Sequence, residues 1–145
     1  MANLSNYAEN KIIDHIFRGR QWTAPVTLYA ALFTAPTDDA GGGTEVAGGG
    51  YARVAITCSD ANWNATQGGA PAAASSGTSG ATANANAITF PAPTGNWGQV
   101  THAALYDAPA AGNQITHGPL TTPKTVNNGD PAPSFTAGAL GFTIG

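Results

Sequence analysis

Residues 26–33 read Val-Thr-Leu-Tyr-Ala-Ala-Leu-Phe, and this stretch decides the fold. Side chains alternate between the two faces of a strand, so one face consists of Val26, Leu28, Ala30 and Leu32, and the other of Thr27, Tyr29, Ala31 and Phe33. Both faces are largely apolar. The stretch therefore predicts a strand in the middle of a sheet, with neighbours on both sides.

Further short segments have the composition of strands, and turn residues separate them. They are 51–58, 87–90, 99–106, 114–120, a weak segment around Phe135, and 139–144. Asn128-Gly129 predicts a tight turn, and Pro131 and Pro133 predict that an edge or an irregular connection follows it. The pattern predicts an all-β fold, an antiparallel, jelly-roll-like β-sandwich of about seven or eight strands.

The N-terminal region differs, because its apolar residues follow helical spacing. Asn6 is a candidate cap with Glu9 three residues later, and Gly19 is a candidate stop. The apolar stripe consists of Ala8, Ile12, Ile13, Ile16 and Phe17. We expect Ile12, Ile16 and Phe17 to lie against an apolar surface, either of the same domain or of a partner. The chain thus divides into a helix and linker at 1–24 and a sandwich at 25–145.

Charge is scarce and unevenly placed in this chain of 145 residues. Charged residues make up 9% of it, and the formal net charge is -3, against a usual charged share of about 25%. Three of the five cations are Lys11, Arg18 and Arg20. Nucleic-acid binding is not expected, because it rests on several Lys or Arg contacts to phosphates.

Neither a membrane span nor a secretory signal is expected. No apolar stretch approaches the ~20 residues that cross a bilayer. Residues 1–7 lack the basic and then apolar pattern of a signal peptide. We expect a soluble protein made in the cytoplasm.

Residues 68–83 are almost entirely Gly, Ala, Ser and Thr. Such a segment has too little apolar bulk to offset the entropy of ordering it. We expect a mobile surface loop, or one that a neighbouring molecule orders.

Few residues could carry enzyme chemistry. Cys58, the single cysteine, could pair with His102 or His117 as nucleophile and base. No local signature supports such a pair. Cys58 follows Val54 and Ile56 on one face of its predicted strand, which favours a packing role. We expect no enzymatic activity.

The metal and nucleotide alternatives are weak as well. His102, Asp107 and His117 could converge on a hairpin, and Asp38, Asp39 and Glu45 could hold calcium, but neither set has a known ligand spacing. The Gly-rich residues 41–50 lack the lysine of a phosphate loop. No metal or cofactor is expected. Trp22, Trp63 and Trp97, with Tyr51 and Tyr106, could stack on sugars, although core positions are the better interpretation.

Several motifs in order resemble a known family. They are 28–33 followed by Thr34-Ala35-Pro36-Thr37-Asp38, then Gly43-Thr44-Glu45-Val46, Gly49-Gly50-Tyr51-Ala52-Arg53, Ile88-Thr89-Phe90-Pro91, Trp97-Gly98-Gln99-Val100-Thr101-His102 and Asn128-Gly129-Asp130. The chain from Val26 onward resembles small virion proteins of tailed bacteriophages. Members are often labelled tail fibre proteins, and some are capsid cement or decoration proteins with a jelly-roll fold. The resemblance implies a structural role without catalysis.

From this resemblance we expect a cement protein on the outer surface of the capsid that bridges subunits of the major capsid protein. The residues expected to dock are Lys11, Ile12, Ile16, Phe17, Arg18 and Arg20. Residues 39–50 and 68–83 are expected to reach neighbours as arms. A neutral surface suits permanent contacts, because few charges lose their hydration there.

Two further questions stay open at this point. Self-association into a homodimer is preferred, because two-fold pairing is the commonest symmetry, and a trimer is the rival. The alternative function is a tail-tip or tail-fibre component that contacts the host surface.

Overall fold

The computed structural model describes residues 3–66 and 74–144. In chain order, the elements in these ranges are β1 (Asn3–Leu4), α1 (Asn6–Phe17), β2 (Thr27–Ala35), β3 (Thr44–Glu45), β4 (Val54–Thr57), β5 (Ala81–Ala83), β6 (Ile88–Thr89), β7 (Gly98–Tyr106), β8 (Gln114–Val126), β9 (Ser134–Phe135) and β10 (Gly141–Thr143). The all-β prediction with one N-terminal helix is confirmed.

Within the described ranges, the main sheet has six antiparallel strands, in the order β1-β8-β7-β2-β3, with β4 also paired to β2. Because β2 pairs with β7 along one edge and with β3 and β4 along the other, its predicted central place is confirmed. Two small antiparallel sheets, β5 with β10 and β6 with β9, accompany it. The jelly-roll topology stays a prediction.

One face of the main sheet carries the larger core. Ala30 and Leu32 of β2 and Leu105 of β7 lie there, and all three are buried. Phe90 and Leu140, from the part of the chain that forms the small sheets, belong to the same cluster. The small sheets therefore act as the second layer of the sandwich. We call this side the core face.

The opposite face holds a smaller cluster, which follows from the alternation of the same two strands. Ala31 and Phe33 of β2 pack there with Ala104 and Tyr106 of β7. The rings of Phe33 and Tyr106 are stacked with centroids 6.4 Å apart. We call this side the tyrosine face.

Arg53 closes the tyrosine face with a salt bridge. Its Nε and one terminal nitrogen donate to the two carboxylate oxygens of Glu45, at 2.8 and 2.7 Å. The other terminal nitrogen donates to the carbonyls of Ala108 and Ala111. The guanidinium lies 3.7 Å from the ring centroid of Tyr106. One side chain thus joins β3 to the loop between β7 and β8.

β8 is longer than predicted and continues past residue 120 to Val126. It contains Pro119 and Pro123, which lack a backbone donor. β8 lies next to the two-residue β1, which covers only His117 and Thr116. Beyond them the outer side of β8 is an edge, and edge strands tolerate proline.

Of the strands in the described ranges, the sequence pattern did not predict β1, β3 and β5. β5 also corrects the prediction that residues 68–83 form one loop, since Ala81–Ala83 pairs with Gly141–Thr143. Residues 68–73 of that predicted loop lie outside the described residues.

The predicted turn at Asn128-Gly129 is confirmed. The N–H of Asp130 donates to the carbonyl of Asn127 at 3.1 Å, and Gly129 has a φ of 81°, a value that favours glycine. Residues 131–133 then form no strand before β9 begins, as the two prolines predicted.

Candidate partner-binding surface

Helix α1 is anchored to the sheet by its first turn. The Ser5 hydroxyl accepts a hydrogen bond from the N–H of Ala8 at 3.2 Å and donates one to the carbonyl of Gln114. Ser5 is therefore the N-cap, and the prediction of Asn6 as the cap is wrong. Asn6 is the first helical residue, and its own N–H donates to the carbonyl of Asp39.

Only one side of the helix packs on the domain. Ala8 is fully buried and Ile12 is partly buried. Ile13 is 48% exposed, Ile16 is 64% exposed and Phe17 is 80% exposed. The question left open by the sequence is thus answered for Ile16 and Phe17, which do not pack on their own domain.

The three exposed apolar residues share one face of the helix. Positions i, i+3 and i+4 lie next to one another on a helix surface, which places Ile13, Ile16 and Phe17 together. We call these three residues the helix stripe. Glu9, one turn earlier and also exposed, extends the same face. Contiguous exposed apolar side chains mark interaction sites more often than single ones do.

The predicted basic residues lie outside the helix stripe. Lys11 lies over the Tyr7 ring, with its Nζ 5.4 Å from the centroid. Arg18 forms an ion pair with Asp14 at 2.8 Å. Arg20 is exposed, and its backbone N–H donates to the carbonyl of Asp14. These cations lie near the helix C-terminus or on its flank, where Arg18 and Arg20 complement the helix dipole.

The sequence reasoning left Ile13 and Glu9 out of the docking set. Ile13 belongs to the predicted apolar stripe but not to the three residues expected to lie against an apolar surface. In the structure Ala8 and Ile12 face the sheet, and Ile13 is exposed. The small side chain of Ala8 is the signal that the sequence offers, because a small residue allows a helix to approach a sheet closely.

The predicted packing role of Cys58 is wrong, because Cys58 is exposed. It follows β4, where Thr57 pairs with Thr27, whereas His102 pairs with Phe33. Thr27 and Phe33 are six positions apart along β2, which is about 20 Å of extended chain. A pair of Cys58 with His102 is thus ruled out. Desolvation also raises the pKa of the Cys58 thiol, which disfavours the nucleophilic thiolate.

The candidate metal ligands are occupied by structural contacts instead. His117 Nε2 lies 2.8 Å from a carboxylate oxygen of Asp39. Asp107 accepts hydrogen bonds from the backbone and side-chain N–H groups of Asn113. No three His, Cys, Asp or Glu residues converge on a metal position anywhere in residues 3–66 and 74–144.

The acidic loop before β3 is folded on the domain. Asp38 accepts the amides of Ala40 and Gly42, and the Gly42 amide is the largest cause that lowers its pKa. Val46 is buried, and its N–H donates to the carbonyl of Leu32. Residues 44–46 are thus tied to β2, and the expectation that residues 39–50 reach neighbouring molecules stays a prediction.

The aromatic residues mostly close the core, as the better of the two interpretations predicted. Trp97 is buried, donates from Nε1 to the carbonyl of Gly49 at 2.8 Å, and contacts Tyr51 edge-on. Trp63 packs near Phe142 with ring centroids 6.0 Å apart. Trp97 cannot stack on a sugar without unfolding the core around it.

Within the described part of the chain, no helix is both long and apolar enough to span a bilayer. A comparison with protein families matches residues 3–143 to the model described as "Podophage GP4 fiber I protein gp80". No curated protein sequence matches the chain. The family match includes α1, all the strands and the helix stripe.

Proposed function

Because the chain belongs to the podophage GP4 fiber I protein gp80 family, a family of phage virion structural proteins, we propose that it is a structural subunit of the phage fibre. The family match is the single observation that carries this proposal. It favours the tail-fibre alternative over the capsid cement role that was expected first.

The helix stripe supports a role in assembly. Ile13, Ile16 and Phe17 are exposed together on a helix whose other side is anchored to the domain. In water this exposure is unfavourable by roughly 25 cal/mol per Å² of apolar surface. A neighbouring virion subunit that covers the stripe would recover that free energy.

Three of the carboxylates that could have carried chemistry hold structural contacts, which supports a role without catalysis. Asp39 contacts His117, Glu45 binds Arg53, and Asp107 binds Asn113, the residue before β8. Each contact ties one segment of the fold to another. These groups therefore serve the stability of the subunit.

Labelling of intact phage tests the proposed location. Gold-conjugated antibodies against the folded chain, imaged by electron microscopy, should mark the fibres at the tail. Labels distributed over the capsid faces would contradict the fibre proposal and favour the cement role. Disrupted mature particles should also give a band on an immunoblot with the same antibodies. Absence of that band would contradict both the fibre role and the cement role.

A substitution in the helix stripe tests its part in assembly. Phage that carry Phe17→Asp should incorporate much less of the subunit than wild-type phage, measured by quantitative mass spectrometry of purified particles. Val26→Asp is the matched control, because Val26 is 76% exposed and lies outside the stripe. Equal incorporation of both variants would contradict a role of the stripe.

Deletion of residues 1–20 would test the stripe less specifically than Phe17→Asp does. It would remove β1 from the edge of β8 and the buried side chains of Ser5 and Ala8. Any loss of assembly could then result from a damaged sheet, whereas Phe17→Asp leaves these contacts intact.

A further inference from the structure

The sandwich has a second exposed apolar feature, a groove on its core face. It is a cavity of about 330 Å³ between β8 and the C-terminal part of the chain. Leu120, Phe135 and Phe142 line it and are half-buried. Thr122 and Lys124 line it and are exposed, so they lie at its mouth. Leu32 and Val100, from the middle of the sheet, also line it. We call this cavity the core-face groove.

The helix stripe and the core-face groove lie on opposite sides of the main sheet. Tyr7 of α1 lines one cleft with Tyr29 and another with Tyr106, and both of these residues belong to the tyrosine face. The groove is lined by Leu32 and Val100 of the core face. The stripe of one chain therefore cannot reach the groove of the same chain.

The two surfaces are complementary in polarity and charge. The stripe presents one aromatic and two aliphatic side chains, and the groove is an open apolar space with aromatic walls. Glu9 lies on the stripe side of the helix, and Lys124 lies at the mouth of the groove. Both are exposed. Neither forms an ion pair with another residue of the described ranges.

We infer that the helix stripe of one copy docks in the core-face groove of a second copy, with Glu9 facing Lys124. This inference rests on the proposed function, for which it names the partner. Because the two surfaces differ, the contact is heterologous and repeats head to tail. Such contacts generate a closed ring or an open chain of subunits, and either arrangement suits a fibre.

The free edge of β8 is a poorer route to the same assembly. Pairing of a neighbour's strand there would meet Pro119 and Pro123 and the register shift between Val100 and His102. Prolines, irregular pairing and a lysine are features that protect edges from strand addition. Side-chain docking into the groove avoids that obstacle.

Two substitutions at exposed residues test the helix stripe and the core-face groove independently. Phe17→Asp places a charge on the stripe, and Thr122→Asp places one at the mouth of the groove. Neither residue is buried, so both variants should fold, which circular dichroism would verify. Val26→Asp is again the matched control.

Analytical ultracentrifugation over a concentration series measures the self-association of wild type and of each variant. Wild type and Val26→Asp should form assemblies larger than dimers or a closed ring. The dissociation constant for self-association should rise at least roughly 30-fold in Phe17→Asp and in Thr122→Asp. An equal mixture of Phe17→Asp and Thr122→Asp should form a one-to-one dimer, because one variant retains its groove and the other its stripe.

Three outcomes would overturn the inference. A monomeric wild type at all concentrations would exclude the contact. Self-association of Thr122→Asp like that of wild type would exclude the groove. Failure of the mixture to form the dimer would exclude the pairing of the two surfaces. None of these outcomes bears on the location of the subunit, because antibody labelling of the fibre tests the proposed function independently.

The charge pair gives a second measurement. Lys124→Glu alone should weaken association, and Glu9→Lys in the same chain should restore it, since each contact then regains opposite charges. If the double variant associates no better than Lys124→Glu, Glu9 does not face Lys124.

Discussion

Arg53 illustrates how a single residue determines much of the tyrosine face. Its side chain is 6% exposed, and it satisfies its donors with Glu45 and two loop carbonyls. Tyr51 joins the same network, donating to Glu45 and accepting from the N–H of Leu32. Desolvation raises the pKa of the Tyr51 hydroxyl, so the hydroxyl keeps its proton and remains a donor.

Replacement of Arg53 by Met should lower the free energy of unfolding by about 3 kcal/mol. Removal of one partner of a buried ion pair leaves the other charge uncompensated, and the partial exposure of Glu45 keeps the effect at the lower end of the usual range. Urea denaturation measures the change. Arg18→Met, which breaks an exposed ion pair, is the control and should cost less than about 1 kcal/mol. Equal effects of the two variants would show that the Arg53 network contributes no special stability.

At the scale of elements, the helix was well predicted in position and poorly predicted in contacts. Its apolar spacing and Gly19 gave its extent, and Gly19 follows the C-cap Arg18 with a φ of 67°. Its cap was missed because Ser5 and Asn6 are both good caps. Ser5 is the cap because its N–H donates to the carbonyl of Ile115 and continues the pairing of β1 with β8, which fixes where the helix begins.

Substitution Ser5→Ala should lower the free energy of unfolding by about 2 kcal/mol. The loss of the cap costs roughly 1 kcal/mol, and the buried Gln114 carbonyl loses a donor, which costs at least a similar amount. Chemical denaturation measures the total, and hydrogen exchange should show faster exchange at residues 8–12. Asn6→Ala is the matched control, with little expected effect. A larger effect at Asn6 would restore the original prediction of the cap.

At the scale of the molecule, Asn84 connects the small sheet of β5 and β10 to the segment before β6. Its side-chain nitrogen donates to the carbonyls of Asn86 and Thr136, at 2.7 and 2.8 Å. Its side-chain oxygen accepts from the N–H of Leu140 at 2.8 Å. Asn84 is 1% exposed, so these hydrogen bonds are shielded from water. The second layer of the sandwich depends on them.

Replacement of Asn84 by Ala should destabilise the whole domain by about 3 kcal/mol. Three backbone groups would lose their partner, the N–H of Leu140 in a buried place and the carbonyls of Asn86 and Thr136 in half-buried ones. Unsatisfied buried groups cost about 1–3 kcal/mol each before relaxation. Thermal unfolding followed by far-ultraviolet circular dichroism and by tryptophan fluorescence measures the effect. Both signals should shift together, because a domain of this size unfolds cooperatively. The exposed Asn86→Ala serves as control. Separate transitions would show that the second layer unfolds by itself.

The amino-acid sequence by itself determined the all-β class, the central place of β2, the position of α1 and the turn at Asn128-Gly129. These features depend on local spacing and on residues with special backbone preferences, so they can be deduced without knowing the fold. The motifs from Val26 onward also resembled a phage virion family, and the match over residues 3–143 supports that resemblance at the level of the virion.

Only the tertiary structure decided which residues face solvent. β1, β3 and β5 have two or three residues each, too few for a pattern, and exist because a partner strand pairs with them. The exposure of Cys58 depends on where β4 ends, and the exposure of Ile13, Ile16 and Phe17 depends on how Ser5 and Ala8 seat the helix. Helical spacing fixes which side chains share a face, but contacts with distant β8 determine where that face points.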